Sequence, residues 1–115
     1  MNTSTELLKG TLSTIILRLL EGNGKMYGYE LTQRVKELTG GKILIKEGSL
    51  YPALHKLEAD GHIAAESVFI GKRIRKYYIL TAQGSKVARQ SVHELLDFLS
   101  TMEHLITTDP RYGMA

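Results

Sequence analysis

The 115-residue sequence contains no cysteine and no tryptophan. Without cysteine it can form no disulfide, thiolate metal site or cysteine nucleophile, and it suits a reducing compartment, so we expect the cytoplasm. The longest apolar run, residues 12–20, is too short to cross a bilayer and contains Arg18. The N-terminus also lacks the cationic region and small-residue cleavage site of a signal peptide. We therefore predict neither a membrane segment nor an export signal.

Motifs that carry catalysis or bind cofactors are also missing. The sequence has no nucleophile elbow, no P-loop, no dinucleotide fingerprint and no carboxylate pair at a defined spacing. Of the four histidines, His93 and His104 share one predicted helix, but they are eleven residues apart. That separation is about 16 Å along a helix axis, too far for both to bind one metal ion. We expect no enzymatic activity, no catalytic residue, no cofactor and no metal site.

Positive charge is what the sequence has in excess, and it is unevenly distributed. The net formal charge is +3; residues 1–80 hold twelve Lys and Arg against eight Asp and Glu, whereas residues 81–115 hold three against four. The excess is greatest in a run without acidic residues, at Lys72, Arg73, Arg75 and Lys76. A run of charges is often only a solvated face, but a concentrated basic patch attracts phosphate backbones.

The most informative stretch is residues 47–63, EGSLYPALHKLEADGHI. At about 100° per residue its leucines, Leu50, Leu54 and Leu57, fall on one narrow helix face, which indicates a buried side. Ser49 is a candidate N-cap and Gly61 a candidate C-terminal stop, so we predict a helix over residues 49–60. The opposite face offers donors and small side chains that suit a DNA major groove. On it or at its edges lie Ser49, Tyr51, Pro52, His55, Lys56 and Ala59.

Hydrophobic periodicity predicts the elements around this helix. Apolar residues at three- and four-residue spacing predict a first helix over residues 6–21 and a second over about 27–38. Residues 42–46 suit a brief strand or an extended connector. A β-hairpin follows, with strands at 63–70 and 73–80 around a glycine-containing turn. The basic run therefore lies at the tip of the hairpin.

A long helix is predicted over residues 81–107, with Thr81 as its N-cap. Apolar residues recur in it at alternating steps of four and three, which is a heptad seam. More apolar residues lie beside the seam than a lone helix can hide against a small domain. We interpret the segment as a dimerisation helix; the alternative is a core helix packed on its own domain. The seam is Ala88, Val92, Leu95, Leu99, Met102 and Ile106, and the additional residues are Leu96, Phe98 and Leu105.

Together these elements predict a mainly α protein with a two-stranded β wing. The fold class is a winged helix-turn-helix followed by a long C-terminal dimerisation helix. The expected organisation is a winged-helix DNA-binding domain at residues 1–80, a C-terminal dimerisation helix at 81–108 and a flexible tail at 109–115.

Five segments carry recognisable motifs. They are KGTLSTIILRLL in the first helix, YGYEL at the start of the second, EGSLYPALHKLEADGHI across the third, RKYYILTAQG from the wing into the last helix, and the leucine-rich C-terminal helix. The most specific are Gly-Ser-Leu-Tyr-Pro-x-Leu at residues 48–54 and Tyr-x-Leu-Thr-x-x-Gly at 78–84. Over essentially its whole length the sequence resembles the PadR family of transcriptional regulators.

The resemblance implies a homodimer of winged-helix domains, joined through the C-terminal helix together with the N-terminal one. Such a dimer binds an inverted-repeat operator, and most members of the family repress transcription. The single C-terminal helix is similar to the short-tailed branch, some of whose members are released from DNA by phenolic acids or flat hydrophobic drugs. Multidrug-responsive members stack the drug on a tryptophan at the dimer centre, which this chain lacks.

The resemblance also implies which side chains meet DNA. Tyr27 would contact a phosphate at the start of the second helix. Two alternatives stay open: Tyr51 packs against the second helix with its hydroxyl on a backbone group, and Tyr27 is a half-buried core residue. In the third helix, the residues implied to reach phosphates or base edges in the major groove are Ser49, Tyr51, His55 and Lys56. In the wing, those implied to reach flanking phosphates or the adjacent minor groove are Lys72, Arg73, Arg75 and Lys76.

An effector pocket, if present, would lie between the paired C-terminal helices and the first helix, lined by Leu95, Phe98, Leu99 and Met102. The alternative is that these residues are only dimer core.

We therefore expect a sequence-specific DNA-binding regulator, a ligand-responsive repressor that acts as a homodimer on an inverted-repeat operator and takes a small hydrophobic or aromatic effector. The alternative is a winged-helix interaction module that has lost DNA binding and pairs with protein partners.

Overall fold

A computed structural model describes Leu8 and residues 10–108, and within that part of the chain four helices and three strands follow one another. The helices are α1 (Leu12–Asn23), α2 (Gly28–Leu38), α3 (Glu47–Ala59) and α4 (Ala82–Thr108). The strands are β1 (Met26–Tyr27), β2 (Ile63–Ile70) and β3 (Arg73–Leu80). This arrangement confirms the mainly α fold with a β wing. The predicted start of the first helix at Glu6 and the predicted tail at 109–115 lie outside the described residues.

The wing has the predicted bounds and a third strand that was not predicted. β2 and β3 pair antiparallel from Ile63 opposite Leu80 to Ile70 opposite Arg73. β1 pairs with the other edge of β3, with Met26 opposite Tyr78 and Tyr27 opposite Tyr77, so the strand order is β1-β3-β2. A strand of two residues is too short to show an alternating pattern in a sequence. It attaches the start of α2 directly to the wing.

The core lies where α1, α2 and α3 meet the base of the sheet. The prediction that Leu50, Leu54 and Leu57 form the inner face of α3 is confirmed, since all three are buried. Burial of such side chains contributes about 1.5–3 kcal/mol each. The other core members come from every remaining element and include Ile16, Leu17 and Leu20 from α1, Leu31 and Val35 from α2, Tyr78 from β3 and Ala88 from α4.

The prediction that Ser49 caps the third helix is wrong. α3 begins two residues earlier, at Glu47, and its N-cap is Lys46, whose backbone is extended. The backbone N–H of Ser49 donates to the Lys46 carbonyl oxygen at 3.0 Å, so Ser49 lies inside the first turn. A carboxylate at Glu47 interacts favourably with the partial positive charge of the helix N-terminus, which favours the earlier start.

The C-terminal stop of α3 is at Gly61, as predicted. Gly61 has φ +79°, and its N–H donates to the Glu58 carbonyl oxygen at 3.0 Å. The N–H of His62 donates to the Leu57 carbonyl oxygen at 2.9 Å. These two bonds form a Schellman motif, in which a glycine adopts the left-handed conformation without a Cβ clash. The turn sends the chain directly into β2.

The start of α4 is joined to this turn by Thr81, which confirms the predicted N-cap. The N–H of Gly84 donates to Thr81 Oγ1 at 2.9 Å, and Thr81 Oγ1 donates to the Gly61 carbonyl oxygen at 2.7 Å. The backbone of Gly84 packs so closely on His62 that an added Cβ would overlap the His62 carbonyl oxygen. These contacts hold the end of α3, the base of the wing and the start of α4 together.

The remainder of α4 extends away from the core. Its buried residues, Gly84 and Ala88, lie in its first two turns, where the helix packs on α1. With 27 residues the helix is about 40 Å long. The described chain is correspondingly elongated, with principal extents of 61 × 31 × 21 Å. The second half of α4 therefore has little of its own chain to pack against.

Candidate nucleic-acid interface

The outer face of α3 is exposed and carries the side chains expected of a groove-reading helix. Pro52, His55, Lys56 and Ala59 are all exposed, opposite the buried leucines. Lys56 Nζ lies 3.7 Å from Asp60 Oδ2, one helical turn further on. An exposed pair of this kind is weak, so Lys56 is available to another anion. His55 and Lys56 thus stand together on a protruding polar surface.

Tyr51 lies at the edge of this face and leans on the start of α2. Its hydroxyl is so close to Gly28 that a Cβ added there would lie 2.7 Å from the Tyr51 oxygen. The side chain still keeps 37% of its surface exposed. The ring therefore packs against α2, as one of the two alternatives for Tyr51 states, while one side stays exposed; its contact with DNA stays a prediction.

A cleft of about 420 Å³, which we call the basic cleft, separates the start of α2, the edge of α3 and the free edge of β3 beyond the point where β1 ends. Its lining brings together five of the nine candidate DNA-binding residues, Tyr27, Tyr51, Arg73, Arg75 and Lys76, and adds Gly28, Ile70, Ile74 and Tyr78. The other four, Ser49, His55, Lys56 and Lys72, lie outside the lining. A cleft with three cations and the accessible tyrosines Tyr27 and Tyr51 can hold an anionic backbone through charge and hydroxyl hydrogen bonds.

The cations around the basic cleft differ in their partners. Lys76 Nζ lies 3.9 Å from Glu58 Oε1, which links the wing to α3. For Lys72, Arg73 and Arg75, the part of the chain that the structure describes supplies no carboxylate within ion-pair distance. The negative charge of Glu30 still acts on Arg75 from beyond that distance, so Arg75 is without a direct ion pair but not without a nearby acid.

Arg75 lies on an aromatic ring and not in open solvent. Its guanidinium carbon is 4.0 Å from the ring centroid of Tyr27, and the rings of Tyr27 and Tyr77 are 5.4 Å apart and tilted by 49°. Hydrogen bonding to Tyr77 raises the pKa of Arg75, against a smaller opposing effect of desolvation. Arg75 and Tyr27, which the sequence offered as separate phosphate contacts, form one unit.

The sequence did not single out Tyr77 or Lys25 as members of this surface. Lys25 Nζ lies 5.2 Å from the ring centroid of Tyr77 and 3.7 Å from Glu66 Oε2. The available signal was the alternation of β3, which places Tyr77 on the same face as Arg75. The position of Lys25 depends on β1, whose pairing the sequence did not reveal.

Tyr78 lies on the opposite face of β3 and is part of the core, with 2% of its surface exposed. Burial raises the pKa of its hydroxyl, and the negative charge of Glu58 raises it further. The hydroxyl is thus neutral over the physiological range, and the residue supports the floor of the basic cleft.

The four residues predicted to line an effector pocket do not all lie together. An apolar hollow of about 430 Å³ lies between α1, α2 and the first half of α4, and Leu95 lines it together with Val92 and Leu96. Phe98, Leu99 and Met102 are not part of that lining and lie on the extended half of α4. Of the four candidates, Leu95 is therefore the one that lines this hollow between described residues.

The described part of the chain holds neither a metal-binding cluster nor a membrane-spanning helix. Among Leu8 and residues 10–108, no group of three or more histidines and carboxylates is placed to hold a metal ion. None of the helices described over the same residues is both long enough and apolar enough to span a membrane.

Comparison with protein families gives one match that spans most of the chain. The model of the PadR-like family of transcriptional regulators matches residues 16–90. An uncharacterized protein of Lysinibacillus sphaericus is 35% identical over 92 residues, which are 78% of this chain and 83% of that protein. The negative transcriptional regulator PadR of Bacillus subtilis is 34% identical over 86 residues, which are 74% of this chain but 44% of its own length.

Solved structures agree with the sequence comparison. A transcriptional regulator from Clostridium thermocellum superimposes with a TM-score of 0.80 at 29% identity, covering 89% of this chain and 99% of that one. Bacillus subtilis PadR, solved in complex with operator DNA, gives a TM-score of 0.65 at 31% identity. That superposition covers 71% of this chain and 46% of the PadR chain.

Proposed function

The chain belongs to the PadR-like family of transcriptional regulators, and from this premise we propose that it represses transcription as a homodimer bound to an inverted-repeat operator. Membership in this family makes it a DNA-binding transcription factor and not an enzyme. The proposal includes the domain division made from the sequence, with DNA binding assigned to residues 1–80 and dimerisation to 81–108, and it implies action in the cytoplasm.

The observation that carries the proposal is the continuity between the outer face of α3 and the basic cleft. With α3 in the major groove, His55 and Lys56 would face base edges, and the adjacent phosphate strand would run along the cleft between Tyr51 and Arg75. The tip of the wing, with Lys72 and Arg73, would then reach the flanking phosphates. Sequence-specific recognition combines contacts to base edges with contacts to phosphates, and α3 and the basic cleft would supply one kind each.

The exposed half of α4 supports the homodimer. Five large apolar side chains on this helix have about half or more of their surface exposed: Leu96, Phe98, Leu99, Leu105 and Ile106. A contiguous apolar surface of this size is unfavourable in water and is typical of a protein interface. The heptad spacing of Leu99 and Ile106 suits a second helix of the same kind. We assign dimerisation to this surface, together with α1, on which α4 already packs.

The apolar hollow beside Leu95 supports the ligand-responsive part of the proposal. It lies between α2, which belongs to the DNA-binding region, and the dimerisation helix α4. A small hydrophobic or aromatic molecule bound there would contact both, so it would alter their relative position and hence the separation of the two recognition helices. Because the chain has no tryptophan, a drug-stacking site of the kind known in multidrug-responsive members is not proposed.

A gel-shift titration with the promoter DNA upstream of the chain's own gene tests the proposal. The wild-type chain should bind this DNA more tightly than an unrelated duplex, with an affinity that falls steeply between 50 and 200 mM salt. Lys56→Ala should change the preference among operator variants, because base contacts carry sequence information. A winged-helix module that binds only proteins would give no salt-sensitive shift with either DNA, and that result would exclude the proposal.

A further inference from the structure

Glu66 of β2, Tyr77 of β3 and Tyr27 of β1 stand in one row across the three-stranded sheet. Residues directly opposite each other on antiparallel strands project to the same face, so these three side chains are neighbours. Arg75 precedes Tyr77 by two residues and shares that face, diagonal to Tyr27. The row ends at α2, because Gly28, the first residue of that helix, follows Tyr27 directly.

The contacts along this row are aromatic and cationic. The Tyr27 and Tyr77 rings have the separation and tilt of a favourable aromatic pair, at 5.4 Å and 49°. Arg75 covers the face of Tyr27 at 4.0 Å, and Lys25 approaches the ring of Tyr77 at 5.2 Å. Both distances fall within the range of cation–π attraction. We call these four residues the stack.

The stack is anchored at both of its ends. The backbone N–H of Tyr27 donates to Glu30 Oε1 at 3.1 Å, which fixes the entry of the chain into α2. At the other end, Tyr77 is held by strand pairing, opposite Glu66 of β2 and Tyr27 of β1, and the exposed Lys25–Glu66 pair at 3.7 Å adds little. Tyr27 is thus held by a helix and Tyr77 by a strand pair, so the surface beneath Arg75 is preorganised.

We propose that Tyr77 is a positioning residue for DNA binding, which acts by holding the Arg75 guanidinium against Tyr27 at the start of α2. Arginine has a long side chain and loses considerable rotamer freedom when a phosphate fixes it. On the stack that freedom is already restricted before DNA arrives, and the guanidinium edge stays directed to the basic cleft. The wing cation and the first amides of α2 then act on one phosphate together. This inference rests on the DNA-binding function proposed above.

A double-mutant cycle on operator DNA tests the inference. Arg75→Ala should weaken binding to all duplexes and make the slope of log affinity against log salt shallower by about 1. Tyr77→Leu should weaken operator binding by about two- to fivefold, because Arg75 would no longer be held on Tyr27 and an exposed cation–π contact is worth about that factor. In the Arg75→Ala background Tyr77→Leu should have no further effect, because its role passes through Arg75. Tyr77→Phe keeps the ring but removes the hydroxyl that hydrogen-bonds to Arg75, so its affinity should lie between those of the wild type and Tyr77→Leu.

The unbound protein gives a second measurement that does not depend on DNA. In a ¹⁵N-resolved NMR spectrum the Arg75 Nε–Hε signal should be displaced upfield by the Tyr27 ring, and Tyr77→Leu should return it towards the position of a free arginine. Equal losses from Tyr77→Leu in both backgrounds, or an Arg75 signal unaffected by Tyr77→Leu, would overturn the inference. If Arg75→Ala itself leaves affinity and salt slope unchanged, the phosphate role of Arg75 fails instead, and the NMR result still reports on the stack.

Discussion

Gly28 and Tyr51 determine how closely the third helix approaches the start of the second. Gly28 is the first residue of α2, and a Cβ there would meet the Tyr51 hydroxyl at 2.7 Å. Because Tyr51 is partly exposed, its ring can move away, and the fold need not change. The position of Tyr51 beside the basic cleft would change. A methyl group added at Gly28 is therefore expected to affect the proposed DNA contact of Tyr51 more than the stability of the fold.

Gly28→Ala should change the free energy of unfolding by less than about 1 kcal/mol, because the gain in helix propensity offsets the repacking of Tyr51. Its operator affinity should fall by about two- to tenfold, the size of one hydrogen bond. Urea denaturation and fluorescence anisotropy measure the two quantities. In a Tyr51→Ala background the same substitution should leave affinity unchanged; a loss of equal size there would show that Gly28 acts by another route.

Tyr78 makes stability depend on alkaline pH. Its pKa is raised in the folded protein by burial, so the unfolded chain releases the proton at lower pH than the folded one. The stability that depends on the neutral hydroxyl is fully present below about pH 10, the ordinary value for tyrosine, and is lost as pH rises through the folded pKa. Tyr78→Phe keeps the ring and removes the ionisable group. Between pH 8 and 11 the melting temperature should fall less steeply with pH for this variant than for the wild type. Identical slopes of melting temperature against pH would contradict the assignment.

At the level of single residues, burial could be predicted from the sequence, but contacts between distant residues could not. Leu50, Leu54 and Leu57 could be assigned to the core because a helical period is a local property. The contact of Arg75 with Tyr27 could not, since 48 residues separate them and their meeting depends on the pairing of β1 with β3. The residue types at the interface were visible in the sequence, but their mutual arrangement was not.

Among the elements, the junction of α3, the wing and α4 is the most tightly specified. Thr81 donates to the carbonyl oxygen of Gly61 and accepts from the N–H of Gly84, and the Gly84 backbone lies on His62. The Tyr-x-Leu-Thr-x-x-Gly motif at residues 78–84 is explained by these contacts. It supplies a core ring, a helix cap and a close backbone approach in that order.

Gly84→Ala should destabilise the protein by about 1–3 kcal/mol or more, because its Cβ would meet backbone atoms that cannot rotate away. Gly22→Ala is the matched control. Gly22 is exposed in α1 and has no atom within 4 Å of an added Cβ, so this change should stabilise by up to about 1 kcal/mol. Urea denaturation of both variants provides the comparison. An unchanged midpoint for Gly84→Ala would contradict the close packing of α4 on His62.

The elements differ in how well the sequence predicted them. The hairpin was predicted to the residue, because alternation and a glycine turn are strong local signals, and Gly71 indeed has φ +63°. The start of α3 lies two residues before the predicted one, because the N-cap position is occupied by an extended Lys46 and not by Ser49. Helix ends depend on the backbone before the helix, which composition does not reveal.

At the scale of the whole molecule, the heptad seam of α4 divides into two parts with different surroundings. Its first part, Ala88 to Leu95, faces α1 or the hollow beside it, whereas Leu99 and Ile106 remain exposed. The interpretation as a core helix thus holds for the first half, and dimerisation stays a proposal for the second half. The extended half has the composition of an interface and the length to join two winged-helix regions.

Leu99→Lys should convert the protein to a monomer, because a lysine would be buried at the centre of the proposed interface. Leu99 is 52% exposed in the isolated chain, so the monomer should keep its fold. Gln90→Lys adds the same charge at an exposed polar position of α4 and should remain dimeric. Sedimentation velocity measures the oligomeric state and circular dichroism the fold. A Leu99→Lys variant that stays dimeric would place the interface elsewhere.

Hydroxyl-radical footprinting of the wild-type protein on its operator tests the central claim most directly. Two copies of α3 in a symmetric dimer enter successive major grooves on one side of the duplex only if they are about 34 Å apart, or a multiple of that distance. We predict two equivalent protected regions on one face of the DNA, with centres about 10 base pairs or a multiple apart, each flanked by wing protection that weakens in Arg75→Ala. A single asymmetric protected region, or none, would contradict the account of this chain as a dimeric reader of DNA.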